Sequence, residues 1–397
     1  MNWELILQLT LQAFFGLDAV VFIIAALGLN VQFGYAGLLN FGQAAFMAAG
    51  AYGLGMSTYY WGVSWWWGIA FGAAYAATLA VVVGVPTLRL RADYLAIVTI
   101  ALAELVRLVV RSVTHKDKFG GSDGLKGFAR GFHALNPIDG TGNRYGIGPL
   151  QAHGTMRIAL FVLWISISLG IAYAIARSRW RKSRPQRVRW GTAVIGICLF
   201  GVLLKLFQYF DYLGFELWVL IIGWIIVAIC AIFVWALMRS PWGRVLKSIR
   251  EDEDAVRSLG KNVFGYKMSA LVVGALIGTF AGMISALRNS NVQPDNYSRS
   301  LTFFVLTALV LGGVAKVSGS IIGPMIYWAL LAFTDSFLIQ LGDKSGRVTV
   351  GGVTLLNNSS AIGQFRLMMV GFGLILLMVL RPQGIFGNRA EMALDGR

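Results

Sequence analysis

The sequence predicts an all-α integral membrane protein, a polytopic helical bundle of about ten or eleven transmembrane helices. Three observations carry that prediction. Apolar runs of about 18 residues or more recur along the whole chain, each long enough to cross a hydrocarbon core of roughly 30 Å as a helix. The 397 residues are 57% hydrophobic and only 13% charged, with a mean hydropathy of +0.68; soluble domains usually carry about twice that charged fraction. The basic residues that give the net charge of +16 sit almost entirely in short loops between the apolar runs. Retention of basic loops in the cytoplasm explains this charge better than nucleic-acid binding does. A large soluble domain could bury such helices only beneath extensive polar segments, and the sequence has none.

Taken in order, spans are expected at 5–29, 36–57, 63–85, 93–113, 157–176, 191–209, 217–238, 267–288, 300–315, 318–340 and 361–380. The first two are interrupted by glycine, and 300–315 is short. The first run has no basic leader and no A-x-A-like site, so it reads as a span and not as a cleavable signal. Asp18 lies inside it with no partner identifiable from spacing. Trp61, Trp65, Trp66 and Trp67 introduce the third span and suit an outer interfacial belt. In the fourth, Asp93 sits beside Arg91 at the inner end. Glu104 and Arg107, three residues apart, share a helix face and can pair. Such a pair reads as structural and not as a proton relay. Cys198 and Cys230 fall within apolar runs and read as small buried hydrophobes.

Orientation follows from charge. The loop 177–190 carries seven basic residues and no acidic one, and 239–267 carries seven more basic residues. Arg89, Arg91, Arg381 and Arg389 mark further basic turns. All of these are placed in the cytoplasm. An even number of crossings separates each pair of these loops, so the assignments agree. The segments 114–156, 289–299 and 341–360 then face outward, and the N-terminus is external if 5–29 crosses.

The chemistry of an enzyme is missing from the pattern. No GxxxxGK[ST] phosphate loop is present; Gly120–Gly127 and Gly312–Lys316 have the wrong spacing. His115, His133 and His153 are spread through one outer loop without a Cys or carboxylate at metal spacing. No catalytic residue, metal site or resident cofactor is expected, and no nucleic acid.

Three features carry function. The stretch Gly34–Gly53 is apolar enough to insert, dense in glycine, and contains Tyr35, Asn40 and Gln43. It reads either as a broken helix lining a pathway or as tight packing with two interhelical hydrogen bonds. In the loop Arg239–Lys267, Ser240-Pro241 reads as an N-cap and first turn. Val245, Leu246, Ile249, Val256 and Leu259 follow at helical spacing, and Gly260 suits the stop. The expected object is one short amphipathic helix on the cytoplasmic side. Its acidic run Glu251–Asp254 would be repelled by anionic headgroups, which favours a protein partner over a membrane surface. Lastly, Gly274-x-x-x-Gly278-x-x-x-Gly282 aligns three glycines on one face and predicts close helix contact.

Five strings come in a characteristic order: GYAGLLNFGQAAFMAAGAYG (34–53), LRLRADYLAIVTIALAELVRLVVRS (88–112), GGSDGL (120–125), SPWGRVLKSIREDEDAVRSLGKN (240–262) and RPQGIFG (381–387). Together they resemble the LivM-type permeases of ABC importers for branched-chain amino acids. The resemblance runs from about residue 20 to 387 and is specific for the permease superfamily, less so for substrate. It implies a single type II-like permease domain over 1–397 in a bacterial cytoplasmic membrane. Implied partners are a LivH-like sister permease, two cytoplasmic ATPase subunits that bind the ATP, an extracytoplasmic solute-binding protein and membrane lipids. It also implies that Arg250–Gly260 is the coupling element, with Arg250, Glu251, Asp252, Ala255 and Gly260 at the ATPase contact, and that Tyr35, Asn40 and Gln43 lie near the pathway. One departure stands out. The family has one span between the GGxxG loop and the coupling element; here three are expected, so 157–215 includes an inserted helical hairpin. Its basic turn 177–190 suits anionic headgroups, at roughly 1 kcal/mol per basic residue. Rival readings are a urea or short-amide permease of the same superfamily and an ion-coupled secondary transporter.

Overall fold

The apolar runs are largely helical where the computed structural model describes them, which is residues 3–89, 92–133, 214–341, 348–350, 353–356, 359–380 and 384–386. The predicted spans 157–176 and 191–209, and the basic turn between them, lie outside these residues. Packing divides the chain into two units, Met1–Leu135 with Val219–Arg397, and Asn136–Trp218. The architecture below belongs to the first.

The helices are α1 (Trp3–Phe15), α2 (Leu17–Leu29), α3 (Gln43–Trp61), α4 (Trp65–Thr87), α5 (Ala92–Arg111), α6 (Gly214–Arg239), α7 (Pro241–Glu251), α8 (Glu253–Ser258), α9 (Val263–Asn289), α10 (Arg299–Gly312), α11 (Val317–Leu341) and α12 (Ser359–Leu380). Among the described residues, five segments are long and apolar enough to cross a bilayer: Trp3–Tyr35, Trp65–Thr87, Trp218–Arg239, Val263–Asn289 and Val317–Gln340. With the shorter apolar α10 they make an all-α polytopic membrane protein.

Two predicted spans take a different form. The span 5–29 is two helices broken at Gly16, whose ψ of 173° is extended. Trp3–Tyr35 is 33 residues long, about 50 Å as one rod, far more than the roughly 30 Å core. A break is therefore required, and glycine supplies it: a Cβ at position 16 would lie 2.7 Å from the Gln12 carbonyl oxygen. The span 36–57 is helical only from Gln43; 36–42 is irregular. Gly37 there has a φ of +68°, a left-handed conformation open to glycine at no steric cost.

The core is α2 between α3, α9 and α11. Every residue of α2 except Asp18 is buried. Phe22 stacks on Tyr327 and meets Trp328 edge-on at 5.2 Å. The glycine stripe on α9 makes the expected close contact. A Cβ at Gly282 would overlap the Met47 carbonyl of α3, and one at Gly278 would overlap the Gln43 amide. Backbones thus approach to the limit that glycine allows.

Each end of the bundle is tied by segments that the charge pattern assigns to one side. Outside, β1 (Leu125–Lys126) pairs antiparallel with β2 (Asn291–Val292), joining the loops 114–156 and 289–299. His133 Nε2 meets Ser290 Oγ at 3.0 Å beside this pair, and burial pulls the imidazole below its ordinary range. Asp18, unplaced by the sequence, forms an ion pair with Arg288 at the outer end of α9. A second outer hairpin pairs β3 (Val348–Val350) with β4 (Val353–Leu356). At the cytoplasmic end, Ile385 and Phe386 donate backbone hydrogen bonds to Leu311 and Gly312, both 3.0 Å, so 384–386 closes over the C-terminus of α10.

Candidate functional site

The site is built where α2 stops being an α-helix. Residues Asn30–Tyr35 form a π-helix, a form that is rare and frequent at functional sites. The irregular segment 36–42 then carries the chain back to α3. Four polar side chains sit within this break. Asn40 Nδ2 donates to Gln32 Oε1 at 2.6 Å, and Asn40 Oδ1 accepts from the Gly42 amide at 2.7 Å. Gln32 Nε2 donates to the Leu271 carbonyl of α9 at 3.0 Å. Gln43 Nε2 lies 3.4 Å from the Gly274 carbonyl and 3.5 Å from that of Ala25. Asn30, Gln32 and Gln43 are fully buried, and Asn40 is nearly so. The break is therefore closed in this conformation. Most of the side-chain amide groups at the break are bonded inside protein, as membrane burial demands, while Gln43 Oε1 is buried without a hydrogen-bond partner.

The cytoplasmic loop reaches this break directly. Ser240 caps α7 as expected, its Oγ accepting from Gly243 N, with Pro241 in the first turn. The element is two helices and not the single one expected, because Asp252 is extended (φ −152°, ψ 103°) and caps α8 by accepting from Ala255 N at 2.9 Å. Ile249, Val256 and Val263 form a small buried cluster beneath the pair, flanked by Val245 and Tyr266. Leu259 leaves the predicted apolar face and stands 78% exposed. The break at Asp252 rotates the second helix, so the 3.6-residue period does not carry across it. Glu253 pins α8 to Lys267 of α9.

Two side chains of α7 then grip the π-helix. Arg250 Nη1 donates to the Gly34 carbonyl at 2.6 Å. Lys247 Nζ lies 5.5 Å above the centre of the Tyr35 ring, within cation–π range. On the opposite side of the break, Asn30 donates to the Lys316 carbonyl at 3.2 Å and accepts from Ala315 N at 2.9 Å. Lys316 in turn donates to the Phe386 carbonyl at 2.7 Å.

The arrangement joins a buried helix break to the α7–α8 pair. Residues 13–380 match the family model described as the permease component of the branched-chain amino acid transport system. The chain belongs to this permease family. It is 27% identical over 366 residues to the high-affinity branched-chain amino acid transport system permease protein LivM of Salmonella typhimurium, covering 92% of this chain and 68% of that one. LivM of Escherichia coli K12 is 28% identical over the same shares. The autoinducer 2 import system permease protein LsrC of Photorhabdus laumondii is 26% identical over 174 residues, 44% of this chain and 45% of its own. No solved structure matches the chain.

In this permease the sequence-predicted residues fall into three groups. Tyr35, Asn40 and Gln43 lie together at the break, buried. Glu251, Asp252, Ala255 and Gly260 are exposed on the outer surface of the handle, Gly260 with a φ of +74°. Arg250 is exposed as well, and its guanidinium also bonds the Gly34 carbonyl. Asn30 and Gln32 escaped the sequence reading. Both follow an apolar run and look like the polar end of a span. The signal for them was present as two carboxamides two residues apart, immediately before a glycine-rich stretch that itself carries Asn40 and Gln43.

Proposed function

We propose that the chain is the membrane permease subunit of an ATP-binding-cassette importer, and that it translocates branched-chain or similar neutral amino acids handed over by an extracytoplasmic solute-binding protein. The observation that carries this reading is the Arg250–Gly34 hydrogen bond: a cytoplasmic helix with an exposed acidic surface is wired to a buried break at the end of the innermost helix. A chain without a phosphate loop needs its engine elsewhere, and such a handle is where an engine would push. The partners in this reading are a LivH-like sister permease, two ATPase subunits and the binding protein, in a bacterial cytoplasmic membrane. The whole chain acts as one permease domain.

The mechanism is alternating access driven from outside the chain. Closure of the ATPases displaces α7 and α8 through Glu251, Asp252, Ala255 and Gly260. Arg250 and Lys247 pass that displacement to the π-helix. The bonds among Gln32, Asn40 and Gln43 then open and re-form, with Tyr35, Asn40 and Gln43 flanking the pathway. The ligand-linked change needs only a difference in affinity between the two states.

Replacing Glu251 and Asp252 together by Lys tests the handle. Transport and substrate-stimulated ATP hydrolysis in the assembled complex are expected to fall roughly tenfold, the scale of an allosteric coupling term, while the protein remains in the membrane. Unchanged uptake would remove the coupling role. The partial match to a permease named for autoinducer 2 import favours keeping other small polar solutes, urea and short amides among them, as the alternative cargo. Ligand binding by the partner binding protein decides between them.

A further inference from the structure

A second cluster of charged side chains lies at the outer end of α5, and the mechanism above does not use it. Glu104, Arg107 and Arg111 fall at i, i+3 and i+7, one face of the helix. Arg107 bonds Glu104 through Nε and Nη2 and reaches Asp295 Oδ1 through Nη1 at 2.5 Å. Arg111 makes a looser contact, 3.3 Å, to the same Asp295 oxygen. Asp295 is carried by the turn Pro294–Tyr297. Tyr297 is buried there, its hydroxyl donating to the Gly282 carbonyl at 3.3 Å, and burial pushes that phenol well above its ordinary range. The turn is thus a fixed mount.

The cluster holds three arginines when Arg299 is counted, the first residue of α10 and close enough for its field to act on Glu104. Against them stand two carboxylates. Arg107 is saturated by both. Arg299 is exposed and has no ion pair among the described residues, Arg111 is 46% exposed, and both bonds to Asp295 use Oδ1, which leaves Oδ2. Surplus positive charge and an unshared carboxylate oxygen therefore remain within one site, beside the N-terminus of a 14-residue helix, an end that also favours an anion.

Position adds the second argument. Glu104 lies seven residues, about 10 Å, inward of Arg111, and its face is only partly covered by protein: Glu104 is 24% exposed and Leu105 and Leu108 beside it more so. Ionisable side chains at such depth almost always face a partner or a water-filled passage rather than lipid. Directly below Arg299, one turn along α10, Phe303 is 41% exposed and stacks on Phe41 at 5.3 Å between ring centres. Phe41 belongs to the 36–42 segment, and its amide donates to Thr99 Oγ1 at 3.1 Å. Charge above and aromatic surface below match the two halves of an apolar amino acid.

We propose that this cluster is an outer admission site for a zwitterionic amino acid, with the carboxylate on Arg299 and Arg111 above the N-terminus of α10, the ammonium on Asp295 Oδ2, and the side chain along Phe303 and Phe41. The proposal rests on the importer reading and names the permease's own contact with its cargo. It places the first grip beside the segment that leads into the buried helix break.

The test uses the complete transporter in proteoliposomes, with leucine-loaded binding protein as the probe. Leucine uptake and the affinity of the loaded binding protein for the vesicles are both measured, in wild type, Arg299→Gln and Arg299→Lys. Loss of a charged hydrogen-bond partner should cut uptake by Arg299→Gln roughly tenfold, with docking within about twofold of wild type and most uptake restored by Arg299→Lys. Unchanged uptake overturns the site. Docking that weakens in step with uptake also overturns it, and makes the cluster a contact for the binding protein. Failure of both variants to assemble overturns it as well, leaving a structural ion network. Wild-type vesicles that carry no neutral amino acid overturn the importer reading and the site together, an outcome distinct from wild-type uptake that ignores position 299.

Discussion

Gln32 shows how one side chain can hold three elements. It donates to Leu271 on α9 and accepts from Asn40 in the segment leading to α3, while its own backbone belongs to the π-helix. Replacing it with Leu keeps the volume and removes both bonds, stranding the buried Asn40 amide, while the Leu271 carbonyl keeps its helical bond. Unsatisfied groups of this kind cost about 1–3 kcal/mol each. Gln32→Leu should therefore lower the thermal midpoint of the detergent-solubilised protein by several degrees; a midpoint equal to wild type would mean that the bonds contribute nothing. Residue pairs near in sequence were legible in advance. Glu104 with Arg107 and Ser240 with Gly243 follow from helix spacing and cap chemistry alone. Asp18 with Arg288, 270 residues apart, does not. Nor does the bond from Arg250 to Gly34, since a lone arginine in a basic loop carries no sign of which carbonyl it will find.

Among the elements, α9 is the one on which the others close. Its three glycines face Gln32, Gln43 and Met47 in succession, so each tolerates no side chain for a separate reason. Gly282→Ala would drive a methyl group into the Met47 backbone carbonyl, which cannot rotate away, and should destabilise by about 1–3 kcal/mol through overpacking. Gly371→Ala on α12 is the contrast. A Cβ there meets nothing within 4 Å, and the higher helix propensity of Ala should leave stability equal or slightly raised. Equal denaturation midpoints for the two variants would refute the packing role. The glycine stripe was legible because its four-residue period is a property of the helix itself. The breaks at Gly16 and Asp252 were not. A glycine or aspartate inside an apolar or amphipathic run is compatible with a continuous helix, and tertiary contacts decide.

Over the whole molecule, charge alone predicts which segments share an end of the bundle. Among the described residues, ties between distant segments gather at two ends: 125–126 with 291–292 at one, and Gly34 with Arg250, Asn30 with Lys316 and Lys316 with Phe386 at the other. The route by which force would cross the molecule was not readable, because it depends on those ties. A body driven only through such a handle should be inert by itself. Vesicles holding this chain alone should accumulate no leucine against a gradient. The assembled complex should do so with the proton gradient dissipated and ATP held constant. Uphill accumulation by the solitary chain, or arrest of the complex when protons equilibrate, would point to a secondary transporter.

The closure of 384–386 over α10 bears on biogenesis. The carbonyls of Leu311 and Gly312 take their hydrogen bonds from residues that leave the ribosome some seventy positions later, after α11 and α12 have been threaded into the bilayer. Until then the inner end of α10 must keep its carbonyls hydrated at the interface. The nascent permease is therefore unfinished at this rim for the whole of that interval, and residues 384–386 act as the bolt that closes it.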